Sequence, residues 1–305
     1  MLINRLPVFL LCCCFLGSCK APPPRQSSKP YIVATTTLLA DAIKNIVKDS
    51  AEVVSIMGPG VDPHLYKASL GDLRNFIDAD FIFYQGLHLE GKMGEVLEKL
   101  GRTKSVTALG NRLPLHLVHQ PVEGGNFPDP HIWFDVSIWK DVVIIARDVL
   151  IEQNPDAADY FRLNAQSYIE KLDSLDAYIS EQILSIPENK RLLITAHDAF
   201  SYFGRAYGIE VMGLQGISTQ AEFGLRDVSD LVNIIVDRDI KAVFVETSVS
   251  DKALRAVIEG AENKKKKVVI GGLLYTDALG AEDTPEGTYI GMMTYNVNAI
   301  TKALK

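Results

Sequence analysis

The amino-acid sequence predicts an α/β protein of two lobes, each a mainly parallel sheet flanked by helices, joined by one long rigid helix. Short runs rich in β-forming residues alternate with amphipathic helical stretches, in two series that an uninterrupted helical pattern separates. Such alternation is typical of parallel sheets covered by helices. At 305 residues, the chain exceeds one typical domain of about 100 to 150 residues and is long enough for two.

The first lobe is predicted over residues 31–153 and the second over residues 188–305. The strands predicted in the first lobe are 31–37, 52–57, 80–84 and 105–108. The strands predicted in the second lobe are 192–196, 210–213, 242–246 and 267–274. Helical stretches separate consecutive strands, as the crossovers of a parallel sheet require.

A linking helix is predicted over residues 154–187, between the start signal Asn154-Pro155 and the end at Ile186-Pro187. Its apolar residues recur every three or four positions: Phe161, Ala165, Tyr168, Leu172, Leu175, Ile179, Ile183 and Ile186. That period indicates one helix of about 30 residues, about 45 Å long. The alternative is two helices that break near residues 173–176, although no helix breaker lies there.

Residues 1–18 have the layout of a signal peptide, with a short start followed by an apolar run. The run is shorter than the about 20 residues that cross a bilayer, which disfavours a transmembrane helix. Leu16-Gly17-Ser18-Cys19 resembles a bacterial lipobox, in which the thiol of Cys19 is lipidated. Residues 19–30, rich in Pro and Ser, have the composition of a flexible or extended tether between the lipid and the first lobe.

Composition and charge exclude several classes of function. A formal net charge of -7 disfavours a nucleic-acid partner, because phosphate binding relies on clustered Lys and Arg. The basic run from Lys264 to Lys267 has the setting of a solvated turn. All four cysteines lie within residues 12–19, so the mature chain would contain no thiol and no disulfide. Any metal site must therefore use nitrogen and oxygen ligands.

Three of the six histidines lie near the carboxyl ends of predicted strands. His64 and His131 each end an Asp-Pro-His sequence, and the Pro stiffens a loop that then loses little entropy on binding a ligand. His197 follows the first strand of the second lobe. One such His alone is more often a hydrogen-bonded structural residue. Three of them, divided between two lobes at the sheet edge where open α/β sheets bind ligands, predict a metal site.

A fourth ligand is expected from the remaining polar strand end of the second lobe. Asp277 lies there, just after the predicted strand 267–274. By spacing alone, a helix N-cap or a turn explains Asp277 equally well. Three neutral imidazoles and one carboxylate would form a singly negative nitrogen and oxygen shell, which suits a borderline divalent ion.

Distinctive motifs cover nearly all of the mature chain. Besides the lipobox and the long central helix, they are Asp62-Pro63-His64, Asp129-Pro130-His131-Ile132-Trp133-Phe134-Asp135, Ala196-His197-Asp198-Ala199-Phe200, Gly216-Ile217-Ser218-Thr219 and Tyr275-Thr276-Asp277-Ala278-Leu279-Gly280. With them, the chain resembles the zinc- and manganese-binding receptors of bacterial ABC transporters (cluster A-I, the family of TroA, ZnuA and PsaA), and most of all the TroA-like subgroup. The positions that match the family's four ligands are His64, His131, His197 and Asp277.

The resemblance implies a monomeric receptor in the periplasm or at the cell surface, held to a bacterial membrane by its lipid. It would capture one Zn²⁺ or Mn²⁺ ion between its lobes and deliver it to a membrane permease with a cytoplasmic ATPase. Catalysis is not expected, because four protein ligands fill a tetrahedral shell and the sequence lacks the hydrolase and phosphate-loop motifs. The alternatives are a receptor for an organic ligand or metal chelate, a surface adhesin or a metallohydrolase.

The resemblance leaves the identity of the ion open. In family members regarded as manganese-specific, the position of His197 is commonly Glu. Zinc-specific members carry a long His-rich loop before the second ligand, whereas this chain has only His116 and His119 within residues 115–127. These two residues form either a weak auxiliary site or an ordinary exposed loop. Because protons compete for imidazole nitrogen, metal affinity is expected to fall as the pH drops through about 6.

Four further residues have less specific interpretations. Asp135 either orients a metal-bound imidazole or caps the helix that follows it. Glu222 and Glu246 lie in family-like contexts, where a salt bridge or a loop hydrogen bond explains either one. His88 carries no motif and is expected to be structural.

Overall fold

The first half of the chain forms a four-stranded parallel sheet of order β2-β1-β3-β4. The protein is described by a computed structural model over residues 28–120, 127–220 and 223–305. The strands are β1 (Tyr31–Ala34), β2 (Glu52–Ser55), β3 (Phe81–Tyr84) and β4 (Ser105–Ala108). The helices are α1 (Thr37–Val47), α2 (Leu70–Asp78), α3 (Lys92–Leu100) and α4 (Val136–Gln153).

The second half repeats the alternation with two parallel strand pairs, β5 with β6 and β7 with β8, and β5 lies beside β7. The strands are β5 (Leu192–His197), β6 (Glu210–Gln215), β7 (Ala242–Glu246) and β8 (Val269–Leu274). The helices are α6 (Ser201–Tyr207), α7 (Leu225–Asp237), α8 (Lys252–Asn263) and α9 (Tyr289–Leu304). All six residues of β5 are buried, as is usual for a strand covered on both faces.

All eight predicted strands occur, and six of them differ from the prediction at one end. β1 ends at Ala34 rather than at residue 37, because the Thr36 side chain accepts a hydrogen bond from the Leu39 N–H and thereby caps α1. β2 ends two residues earlier than predicted, β3 begins one residue later and β8 two residues later. β5 and β6 are longer than predicted because their ladder continues to the pair His197 and Gln215.

The predicted linking helix is present as α5 (Ala158–Leu184), preceded by a short 3₁₀ turn at Pro155–Ala157. Its 27 residues span about 40 Å without a break, so the alternative of two helices is wrong. All eight apolar positions on the predicted face are buried. This face packs against α1 and α4 from the first half and against α6 and α9 from the second.

One apolar core runs through α1, α4, α5 and α9 and therefore joins the two halves of the chain. The division into lobes at 31–153 and 188–305, with a linker at 154–187, stays a prediction. The predicted signal peptide, Cys19 and Glu222 lie outside the described residues, as does the tether up to residue 27. No helix within the described ranges has the length and apolar character to cross a membrane.

We expect Leu172→Ala to lower the free energy of unfolding by about 2 to 5 kcal/mol, because Leu172 on α5 is fully buried and its truncation leaves a cavity. Leu163→Ala on the same helix is the matched control, because this side chain is 69 % exposed. It should change the free energy of unfolding by less than about 0.5 kcal/mol. Urea denaturation followed by circular dichroism measures both. Equal losses of unfolding free energy in the two variants would contradict the role of α5 as the core helix that both halves share.

Candidate metal centre

The structure brings the four predicted ligands together at the junction of the two halves. One ligand atom from each of His64, His131, His197 and Asp277 lies within 4.8 Å of all the others. All four side chains are buried, His64 being the most exposed at 4 %. Within the described parts of the chain, this is the only group of three or more potential metal ligands that converge in this way.

Three spacings between atoms of the predicted ligands are close to those around a tetrahedral ion. The Nε2 atoms of His64 and His131 are 3.3 Å apart. Oδ1 of Asp277 is 3.6 Å from Nε2 of His131 and 3.6 Å from Nε2 of His197. An ion about 2.0 to 2.1 Å from each ligand would need ligand atoms about 3.3 Å apart. Three of the six spacings therefore lie near the value that a zinc-sized ion requires, and all six are within 4.8 Å.

The two Asp-Pro-His sequences form the same turn at the two ligands of the first half. Oδ1 of Asp62 accepts a hydrogen bond from the His64 backbone N–H at 2.8 Å. Oδ1 of Asp129 accepts the corresponding bond from His131 at 3.0 Å. In each turn the Asp therefore fixes the backbone of its own ligand residue.

The two predicted ligands of the second half lie at the ends of strands. His197 is the last residue of β5, and Asp277 lies just beyond the end of β8. Gly213 on β6 faces the end of β5 so closely that an added Cβ would come within 2.4 Å of the Asp198 nitrogen. A side chain at this position would displace His197, so the close approach requires glycine.

Buried carboxylates orient two of the imidazoles. Nδ1 of His131 lies 2.7 Å from Oδ1 of Asp129, and Nδ1 of His197 lies 2.5 Å from Oε2 of Glu246. Glu246 also accepts the His197 backbone N–H through Oε1 at 2.9 Å. A carboxylate at Nδ1 holds a ring hydrogen there, so Nε2, which faces the site, is the nitrogen that would bind an ion.

The charged groups of the site alter one another's protonation. Burial, with the help of His131, lowers the pKa of His64 to about 3, although Asp277 opposes the shift. Burial also disfavours the charged form of His197, but Glu246 and Asp277 outweigh it and raise the pKa of His197 well above its ordinary value. His64 is therefore neutral at neutral pH, whereas an ion that binds Nε2 of His197 must displace a proton from that ring.

The loop that carries Asp277 is tied to both halves of the chain. Ser248 Oγ donates to Asp277 Oδ2 at 3.1 Å. Trp133, two residues after His131, donates from Nε1 to the Thr276 carbonyl at 2.9 Å. This bond joins the segment of His131 to that of Asp277, one predicted ligand from each half.

Asp135 caps α4, and among the described residues it makes no hydrogen bond to an imidazole. Its Oδ1 accepts the backbone N–H groups of Ser137 and Ile138. Of its two interpretations, the helix cap is therefore the one the structure supports, and the orienting role belongs to Asp129 and Glu246. Sequence reasoning assigned Asp129 no role, although its repeated place two residues before a His was an available signal.

The remaining histidines lie outside this centre. His116 is exposed in the 3₁₀ turn Leu115–Leu117, whereas His119 stacks on Tyr202 with ring centroids 3.9 Å apart. These contrasting settings favour the ordinary loop over an auxiliary site. His88 stacks on Phe127 at 3.6 Å, in keeping with a structural role.

Two α/β halves that bury three imidazoles and a carboxylate at their junction define the class of two-lobed metal receptors. Residues 32–303 match the family model described as the periplasmic component A of the zinc-uptake complex, ZnuA. The chain belongs to this family, the metal-binding receptors of bacterial ABC transporters. Its members are substrate-binding proteins that work with a membrane permease and an ATPase, and they are not classed as enzymes.

Two relatives and one solved structure resemble the chain over most of its length. The manganese-binding lipoprotein MntA of Bacillus subtilis is 50 % identical over 274 residues, which are 90 % of this chain and 89 % of MntA. The zinc-binding protein TroA of Treponema pallidum is 43 % identical over 275 residues, which are 90 % of this chain and 89 % of TroA. The solved structure of TroA has a TM-score of 0.88 and covers 90 % of this chain and 99 % of its own.

We expect Glu246→Gln to weaken Zn²⁺ binding about 10- to 100-fold, because an amide orients the His197 ring less firmly and lowers its basicity. Competition with a chelator of known affinity measures the change. Glu210→Gln is the matched control, since Glu210 pairs with Arg238 at the exposed end of β6 and should leave the affinity unchanged. Equal affinities of the wild type and Glu246→Gln would show that the carboxylate does not support the ligand.

Proposed function

We propose that the chain captures one Zn²⁺ or Mn²⁺ ion with His64, His131, His197 and Asp277. The observation that carries this proposal is a pair of buried atoms without hydrogen-bond partners, Nε2 of His197 and Oδ1 of Asp277, which face each other at 3.6 Å. A buried polar atom without a partner is costly, and these two belong to the same small group of converging ligands. A metal ion would satisfy both.

In this proposal the captured ion is cargo for delivery. A monomer would hold it in the periplasm or at the cell surface and hand it to an ABC permease driven by a cytoplasmic ATPase. The family description as periplasmic and the word lipoprotein in the name of MntA support this location and an anchor at Cys19. The net charge of -7 argues against nucleic acid as a partner.

The geometry favours an ion over the alternative cargoes and activities. Neighbouring ligand atoms 3.3 to 3.6 Å apart leave room for an ion between them and none for an organic molecule or a chelate. A metallohydrolase needs an open coordination position for water or substrate, which four protein ligands around a tetrahedral ion do not leave. The described surface offers no specific support for an adhesin.

The test is elemental analysis of the protein after equilibration with limiting Zn²⁺ and Mn²⁺. We expect one ion per wild-type chain and less than about one tenth of that occupancy in His197→Ala and Asp277→Ala, because each removes a ligand from a four-ligand shell. His116→Ala, at the exposed histidine, should keep full occupancy. A wild type without a stoichiometric ion would refute the proposal, and the ion recovered decides between zinc and manganese.

We expect Zn²⁺ affinity to rise with pH, because the raised pKa of His197 means that a binding ion displaces a proton there. Below that pKa, one displaced proton changes Kd about tenfold per pH unit. Calorimetric titration at pH about 6, 7 and 8, in buffers of different ionisation enthalpy, measures affinity and released protons together. Glu246→Gln should flatten the dependence, since loss of the carboxylate lowers the pKa of His197. An unchanged Kd across this range would contradict the expectation.

A further inference from the structure

The two ligand turns of the first half are attached to the second half by different kinds of contact. The turn of His131 is held by buried hydrogen bonds. Trp133 Nε1 donates to the Thr276 carbonyl at 2.9 Å, and Tyr289 Oη donates to the Trp133 carbonyl at 2.6 Å. Tyr202 Oη donates to the Asp129 carbonyl at 2.9 Å. These bonds surround the turn on both sides, so His131 cannot leave the site unless buried groups lose their partners.

The turn of His64 is held from the second half by two adjacent side chains, Thr219 and Gln220, here called the outer latch. Thr219 Oγ1 donates to Asp62 Oδ2 at 2.6 Å. Gln220 Nε2 donates to the carbonyl of His64 at 2.6 Å. Both bonds lie partly open to solvent, where water can replace either partner when the latch opens.

Two features of the neighbouring structure hold the side chains of the outer latch in position. Gly91 has a φ of +49° and lies beside the amide of Gln220, so that an added Cβ would come within 3.1 Å of both Gln220 Nε2 and the His64 carbonyl. Because Gly91 has no side chain, there is space beside it for the amide of Gln220. On the other side, Gln215 Nε2 donates to the Thr219 carbonyl at 2.8 Å and fastens the latch to the end of β6.

The Asp residues of the two Asp-Pro-His turns differ in the contacts they make beyond the backbone of their own His. Asp129 directs its Oδ1 to both the backbone and the ring of His131, so this Asp holds its own ligand in place. Asp62 accepts the backbone N–H of His64 through Oδ1, but its Oδ2 accepts the hydroxyl of Thr219 across the junction. The orientation of His64 thus depends on a residue of the other half.

From these contacts we propose that Thr219 and Gln220 are positioning residues that hold His64 on the ion, and that opening of this latch is the first step of metal release. The inference rests on the proposed function. His64 then leaves with its loop while His131, His197 and Asp277 stay tied to the buried contacts. Leu65, the next residue, is 56 % exposed, so the loop has open space on its outer side.

The test is the rate at which the full, Zn²⁺-loaded chain loses its ion to excess chelator in stopped flow. We expect Gln220→Ala and Thr219→Val each to accelerate release about 2- to 10-fold, the range for loss of one hydrogen bond, with little change in the association rate. Thr219→Ser keeps the hydroxyl and should release within about twofold of the wild-type rate. Gln166→Ala, on the exposed face of α5, is the matched control and should match the wild type.

Hydrogen exchange of the loaded protein provides a second readout that a general loss of stability would not reproduce. Amides of residues 58–66 should exchange faster in Gln220→Ala, whereas those of residues 129–135 should not change. Because the Gln220 residue is exposed, this variant decides the matter even if Thr219→Val folds poorly.

A wild-type release rate in Gln220→Ala, with one ion still bound per chain, would overturn the latch and leave the proposed function intact. Equal acceleration in Gln166→Ala, or faster exchange in residues 129–135, would also overturn it. A wild type that binds no ion would overturn the proposed function, and this inference with it.

Discussion

The structure depends on burying three imidazoles and one carboxylate at a single point without bulk water. An unpaired buried charge costs several kcal/mol or more, so each of these groups needs a fixed partner. Asp129 and Glu246 supply partners at the Nδ1 atoms of two rings, and Ser248 supplies one at the second oxygen of Asp277. Two atoms of the site, Nε2 of His197 and Oδ1 of Asp277, remain without a hydrogen-bond partner and face each other. A positive ion between them would satisfy both.

The four converging side chains stay close together only if the two halves of the chain keep a constant separation. The shared apolar core meets this requirement, because α5 buries one continuous face against helices of both halves. Wide hinge motion would expose that face to water at about 25 cal/mol for every Å² of apolar surface. Movement that changes the site at low cost must therefore occur in surface loops around it.

Much of this arrangement is predictable from the sequence, for reasons that are local. The alternating runs give the eight strands, and spacing by three and four residues gives the buried face of α5. The ligands are predictable because parallel strands end at one edge of a sheet, which brings His197 and Asp277 near each other. Partners between distant segments were not predictable: Glu246 is 49 residues from His197, and Gln220 is 156 residues from His64.

Asp135 and Asp62 show why the role of a carboxylate is hard to infer from its motif. Asp135 follows His131 closely in sequence, yet the first free N–H groups of α4 lie nearer to its oxygens than any imidazole does. Asp62 shares its motif with Asp129, and the two turns match at the backbone, but their remaining interactions reach different halves of the molecule. Motifs set local backbone geometry, whereas the other contacts of each carboxylate are set by packing between segments. The same Asp-Pro-His sequence can therefore hold His131 firmly within its own half and yet leave His64 dependent on a contact near the surface.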